Sequence, residues 1–358
     1  MGLGPTTREA AETTAVQTEL LRALVARGFG TVVLQDSTEI GERLDRWVRT
    51  SASVDPVEDL DAVLADAWGP WRVEPVRLLL TWLRDHNLAH PDDPGQQVEV
   101  RGVFRPKAVP ADYDHVLALT AGTDGHGQVR ELLETIRVAH DGGEHVERAH
   151  GRWHGPPYVD LARRARGLVE SADGTDARAR AQALTGLDRI IDFHATSLSQ
   201  GHDALAEDIA AADRLVDHLA ATGRRAVVWD GIAHLMAHGR TFGGRLREHL
   251  GPNYRCVVTT FGSGAIRNLQ LPTPAAGSLD ATLQRVADAV GGACIIDLAG
   301  PAPDHVLRWL ADTHPSRMIS GMYRPDEDER HYLAVNNLST AVDVLIHLPQ
   351  ITPVQDLT

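Results

Sequence analysis

The chain has 358 residues, 49 of them Asp or Glu against 35 Lys or Arg, and only two cysteines. A net charge of −14 excludes a sequence-independent grip on DNA or RNA, which needs clustered cations, and Cys256 and Cys294 alone exclude a disulfide framework or a cysteine zinc site. No apolar run is long enough to cross a membrane, and the stretch MGLGPTTREAAETTAVQTEL lacks the basic and apolar regions of a secretory signal. The expectation is a soluble, cytoplasmic protein with no membrane or nucleic-acid partner. Lys107 is the one lysine among 35 basic residues. Arg and Lys do similar work on a surface, so that ratio reflects coding bias and points to a high-GC bacterium. It also leaves Schiff-base chemistry a single, proline-flanked candidate in FRPKAVP.

In chain order, TREAAETTAVQTELLRALVARG (7–28) reads as a helix ended by Gly28, and TVVLQ (31–35) as a buried strand followed by a helix over 38–49. The helix VEPVRLLLTWLRDHN (73–87) carries Val76, Leu79, Leu80 and Leu83 on one face and leads to the strand VEVRGVF (98–104). From about 109 to 222 the pattern is helical throughout, with glycine breaks near 122–127, 142–155 and 174. AVVWD (226–230), CVVTTF (256–261) and ACIIDL (293–298) are apolar runs spaced for parallel strands with crossover helices. HYLAVNN and AVDVLIHL supply two more strands. The alternation predicts one α/β domain over 1–358, a mostly parallel sheet flanked by helices, with 109–222 as a helical insertion or cap.

Ligands of an open parallel sheet bind beyond the carboxyl ends of its strands, so the residues that follow each run are the candidates. These are Gln35, Asp36 and Glu39; Phe104; Trp229, Asp230 and His234; and Phe261 with Gly262-Ser263-Gly264. The four-residue step from Asp230 to His234 would put a base and its orienter on one face of a helical turn. FGSGAIRN lacks the third glycine of a dinucleotide fingerprint and the spacing of a nucleophile elbow, and reads as a tight turn at the cavity floor. His140, His145, His150 and His154 crowd a Gly-rich segment without an H-E-x-x-H pattern, which reads as a solvated loop and not a metal site. The acidic run in HDALAEDIAAADRLVDHL reads as the wet face of an amphipathic helix.

Several of these strings together resemble the erythromycin esterase family. GRRAVVWDGIAHLMAHG, followed by GGRLREHLGPNYRCVVTTFGSGAIR, resembles that family's W-A-H-N-A-H segment, its G-x-x-L helix and its next strand. ELLRALVARGFGTVVLQ, RLLLTWLRDHN and MYRPDEDERHYLAVNNLSTAVDVLIHL resemble further family helices and strands, so the likeness spans nearly the whole chain. It implies a helical elaboration over the active-site cleft and lactone-ester hydrolysis by a His-activated water without a bound cofactor. The chain departs from the pattern at the positions that matter for that chemistry. Pro5 and Arg8 fall on the Glu and His of L-G-E-x-x-H-G, Gln35 on a later Glu, Gly231 and Ile232 on the first His and the Asn of W-A-H-N-A-H, and Phe104 on a strand-ending Asp. Gly201, His202 and Asp203 replace an Arg-Asp pair, and His234 alone of the strand-end histidines is kept.

These departures imply a repurposed enzyme of bacterial secondary metabolism. Its acid–base set is drawn from His234, Asp230, Glu39, Asp36, His194 and His202, and Gln35, Phe104, Trp229, Phe261, Ser263 and Arg8 line the substrate. A small hydrophobic acyl or polyketide-like intermediate suits an apolar pocket with few polar groups. Cyclisation, condensation or elimination is then expected in place of hydrolysis, with no cofactor or metal and with an upstream biosynthetic enzyme supplying an unstable intermediate. The alternatives are a non-catalytic binding or resistance protein and a residual ester hydrolase.

Overall fold

The computed structural model describes residues 1–50, 58–172 and 176–357, so the glycine break expected near 174 lies outside the described residues. The chain divides into two compact units, one of Met1–Leu64, Pro70–Phe104 and Leu205–Thr358, the other of Ala65–Gly69 and Arg105–Ala204.

Among the described residues the first unit has ten strands: β1 (Gly2–Pro5), β2 (Thr31–Ser37), β3 (Glu99–Phe104), β4 (Ala226–Trp229), β5 (Cys256–Ile266), β6 (Leu269–Leu271), β7 (Cys294–Asp297), β8 (Thr313–Arg317), β9 (Tyr332–Asn336) and β10 (Val344–Ile351). The main sheet runs β3-β2-β4-β1-β5-β10-β7, with β6 paired to β5. Every pairing from β3 to β10 along that path is parallel. The fold is therefore α/β with a largely parallel sheet flanked by helices, as the periodicity implied.

Four local readings need correction. The centre of the sheet is held by β1, a strand that its sequence GLGP conceals because glycine and proline disfavour strands. Glycine suits the close packing there: a Cβ on Gly4 would sit 3.3 Å from the Cα of Ile232, so its absence lets the turn after β4 lie close against the strand. The first helix accordingly starts at Ala11 rather than residue 7, because the Thr6 and Glu9 carbonyls accept from the N–H groups of Ile319 and Val354 and Ala10 bridges to Pro353. Strand β7 is antiparallel to β10, and β9 pairs with β8 in a separate two-stranded sheet. The FGSG segment is no turn. It continues β5, where a Cβ on Gly264 (φ +129°) would meet the Ile351 carbonyl.

The helix Ala204–Thr222 packs on this sheet through Ala211, Ala212 and Leu215, which share a core with Val33, Val228 and Ile232. Burying such a stripe at about 25 cal/mol per Å² of apolar surface is what fixes the helix against the strands. Arg214 reinforces it by donating to the Val103 carbonyl at 2.6 and 2.9 Å.

The second unit is helical: Pro110–Leu119, His126–Arg137, Glu144–Ala149, Tyr158–Ser171 and Ala177–Ala195. Tyr113, Leu133, Ile136, Tyr158, Leu187 and Ile190 belong to its core. The histidine-rich segment is not a solvated loop. Its short helix is anchored by Glu144, a fully buried carboxylate that accepts from Arg148, from the Tyr158 N–H at 3.0 Å and from Gln200 at 3.1 Å. Among the described residues no three His, Cys, Asp or Glu side chains are grouped to hold a metal, and no helix is long and apolar enough to cross a membrane.

Candidate functional site

At the carboxyl ends of β1, β2 and β4, four side chains of the first unit converge with a fifth from the helix Ala204–Thr222. Beyond β4 the chain turns at Gly231 into the single helical turn Ile232–Leu235, which carries His234. Arg8 follows β1, Gln35 lies in the last turn of the β2 pleat, and Asp230 follows β4.

The carboxylate bonded to His234 is Asp208, not Asp230. His234 Nδ1 lies 2.8 Å from Asp208 Oδ2 and 3.0 Å from Oδ1, while the imidazole remains 30% exposed and the carboxylate is almost wholly buried. Asp230, also buried, turns instead to Arg8, whose NH1 donates at 3.0 Å, and to the Gly231 N–H. The four-residue step does not bring Asp230 onto the ring because the helix begins two residues later, at Ile232, although the charge of Asp230 still acts on His234. The same Arg8 nitrogen donates to Gln35 Oε1 at 2.9 Å, and Gln35 Nε2 lies 3.3 Å from His234 Nε2.

The electrostatics follow from this arrangement. Burial pulls His234 toward the neutral ring, but the carboxylates of Asp230 and Asp208 outweigh it and raise its pKa to about 9. Burial raises Asp230, against the pull of His234 and Arg8, and lowers Arg8, against the pull of Asp230. A half-buried imidazole held at Nδ1 by a buried carboxylate can give or take a proton at Nε2.

The other candidates are dispersed. Asp36 is buried and accepts from its neighbour's N–H, Ser37, which in turn caps the helix Thr38–Arg49; Glu39 sits half-buried in that helix's first turn. Phe104 ends β3 packed against the core that includes Ile232. Trp229 is buried edge-on to Trp71, 5.1 Å between ring centres, and the Trp71 indole donates to the Gln35 carbonyl. Phe261 is fully buried in a separate cluster with Ile266, Leu271 and Ile319, and Ser263 makes only a long 3.4 Å bond to the Pro349 carbonyl. His194 and His202 belong to the helical unit, where His194 is buried and hydrogen-bonded to the Tyr113 hydroxyl at 3.1 Å. A polar groove of about 570 Å³ lies beside β3, lined by Glu42, Asp45, Arg46, Arg49 and Arg101, and includes none of the converging residues.

Asp208 is the residue that sequence reasoning missed. It was counted among the wet acids of its helix, yet Asp208, Ala211, Ala212 and Leu215 fall at i, i+3, i+4 and i+7, the buried stripe itself. An aspartate on the apolar stripe was the available signal.

In its fold the chain is similar to a Bacillus cereus protein of known crystal structure (19% identity, 99% of this chain and 89% of that one, TM-score 0.63). It is similar also to a succinoglycan biosynthesis protein (16%, 100% and 88%, 0.63) and to a histidine-to-asparagine mutant of the erythromycin esterase EreC in its open conformation (15%, 98% and 90%, 0.57). No curated protein matches the chain. The erythromycin esterase family model matches residues 25–351, taking in β2, β4, the His234 turn and Asp208, and the chain belongs to that family.

Proposed function

We propose that this protein is a cofactor-independent enzyme in which His234, oriented by Asp208, moves a proton on a small hydrophobic acyl or polyketide-like molecule. The reaction is ring closure, condensation or elimination, and the setting is bacterial secondary metabolism. The observation that carries the reading is the His234–Asp208 pair: a carboxylate fixes one ring nitrogen and leaves proton transfer to the other, on a side chain that keeps partial access to solvent. The choice against hydrolysis is supported by Gln35 and Arg8. By the resemblance Arg8 falls on the His of the family's opening motif and Gln35 on a later Glu, and neither side chain can serve as a base near neutral pH.

The test is to incubate the purified chain with short β-keto thioesters and with ordinary esters and erythromycin, and to follow product masses. Products isobaric with substrate or lighter by one water are expected from ring closure or elimination of the thioesters, and products of two substrate masses less one thiol or one water from condensation. Acid and alcohol released from the esters, or erythromycin made heavier by one water, at about 1 s⁻¹ or faster, would restore the hydrolase reading. Compounds that bind and are returned unchanged would favour a sequestering role.

A further inference from the structure

Gln35 stands between two nitrogen groups, and only one orientation of its amide satisfies both. Arg8 NH1 lies 2.9 Å from one end of the amide, and a guanidinium can only donate, so that end must be the carbonyl oxygen. The other end is then the NH2 group, 3.3 Å from His234 Nε2, and a donor facing a ring nitrogen requires a lone pair there. At the opposite side of the ring, Asp208 can only accept when ionised, so Nδ1 must carry hydrogen.

We propose that Gln35 is a positioning residue that, held by Arg8, keeps His234 in the Nδ1–H tautomer and opposes protonation at Nε2. The inference deepens the reading of His234 as the proton-transfer group and rests on it for its functional meaning. Protonating Nε2 sets one N–H against another across the amide. Turning the amide relieves that clash only by setting its NH2 against Arg8. The charged groups around the ring are Asp208 from the helix Ala204–Thr222, Asp230 beyond β4 and Arg8 beyond β1. Both carboxylates favour the imidazolium, whereas Arg8 opposes it directly through its charge and indirectly through Gln35. The two effects pull His234 in opposite directions, and Gln35 with Arg8 limits how far the carboxylates raise it. At 3.3 Å the Gln35 contact is long, so a substrate donor can displace it at the moment of transfer.

The experiment is ¹⁵N NMR of the His234 ring across pH in the wild-type chain and in Gln35→Met. Above the titration midpoint the wild-type ring is expected to show a protonated Nδ1 and a bare Nε2. Gln35→Met, with folding checked by thermal melt, removes the opposing donor and is expected to raise the midpoint by about one unit, a tenfold change in the acid constant. If Gln35 only supplied polar surroundings, its loss would desolvate the imidazolium and leave the midpoint unchanged or lower. Either that result or a neutral ring protonated at Nε2 overturns the proposal. Should Gln35→Met fail to fold, the wild-type tautomer decides alone. Neither readout needs turnover, so a His234 with the expected tautomer and shift but no activity on any substrate would sink the catalytic reading and leave this one intact.

Discussion

His234 and His194 carry the same side chain into two different surroundings. In the sheet unit, His234 meets Asp208 at 2.8 Å and the field of Asp230, and its pKa rises to about 9. In the helical unit, His194 has no carboxylate partner: Nε2 meets the Tyr113 hydroxyl at 3.1 Å, the ring lies edge-on to Tyr158 and Phe193, and Nδ1 has no partner among the described residues. Burial there goes unopposed and pulls it down to about 4. The comparison teaches that burial alone lowers a histidine, and that carboxylates beside a buried ring can outweigh burial and raise it. The second unit uses its histidine as a packing element with one polar edge.

The largest expected effect would break that contrast at its functional end. His234→Ala should lower turnover of whatever substrate the mass assay identifies by about 10²-fold or more, and His234→Gln should not rescue it. Near-normal turnover in both variants would show that the Asp208 pair is only structural.

Stability against pH separates the two rings by sign. His194 has a folded pKa of about 4, below the ordinary 6.5, so the unfolded chain binds its proton first and stability falls as pH drops from about 6.5 to 4. His234 is the reverse. Its folded pKa lies above the ordinary value, so its contribution is present in full below about pH 6.5 and is lost as pH rises through about 9. His194→Gln should therefore flatten the acid limb of denaturation midpoints against pH, by about 3 kcal/mol at most, and leave the alkaline limb alone. An acid limb of unchanged slope would mean that His194 does not titrate against folding.

Asp208→Asn sharpens the comparison from the other side by making the surroundings of His234 more like those of His194. The amide oxygen can still accept from Nδ1–H, so the ring stays oriented, but the charge is gone. Its NMR midpoint should fall by about one unit or more. No movement would assign the raised value to Asp230 alone. The smallest effect is expected at Ser263→Ala, within about 0.5 kcal/mol by urea denaturation, because its one side-chain bond is long and weak.

What could be read from sequence divides along a physical line. The helix Thr38–Arg49 was placed to the residue because its cap, Ser37, and its apolar spacing are local. Strands β2, β3, β4, β5 and β10 were legible as apolar runs for the same reason. β1 was not, since GLGP becomes a strand only by being clasped between β4 and β5. Nor could the direction of β7 be read, because CIID reads alike in either sense. At the site, His234, Asp230 and Gln35 were found from their places at strand ends, and Arg8 only through the resemblance to the family's opening motif. Their partnerships were not, because each joins elements far apart in the chain. Asp208 was legible in principle and was lost by weighing the charge of its segment over its phase.

The central position of β1 also sets a schedule for making the molecule. The N-terminal amine donates to the Ala226 carbonyl, a partner 225 residues further along. At 5–20 residues per second, synthesis reaches that partner roughly 10–45 s after β1 has emerged. Until then β2 and β3 can pair, but the middle of the sheet stays empty and GLGP has nothing to hold it. Arg8 is thus made before Gln35, Asp208, Asp230 and His234, yet takes its place only when β4 and β5 arrive. The cluster around His234 is completed when β4 joins β1 and β2, before β7 and β10 extend the sheet.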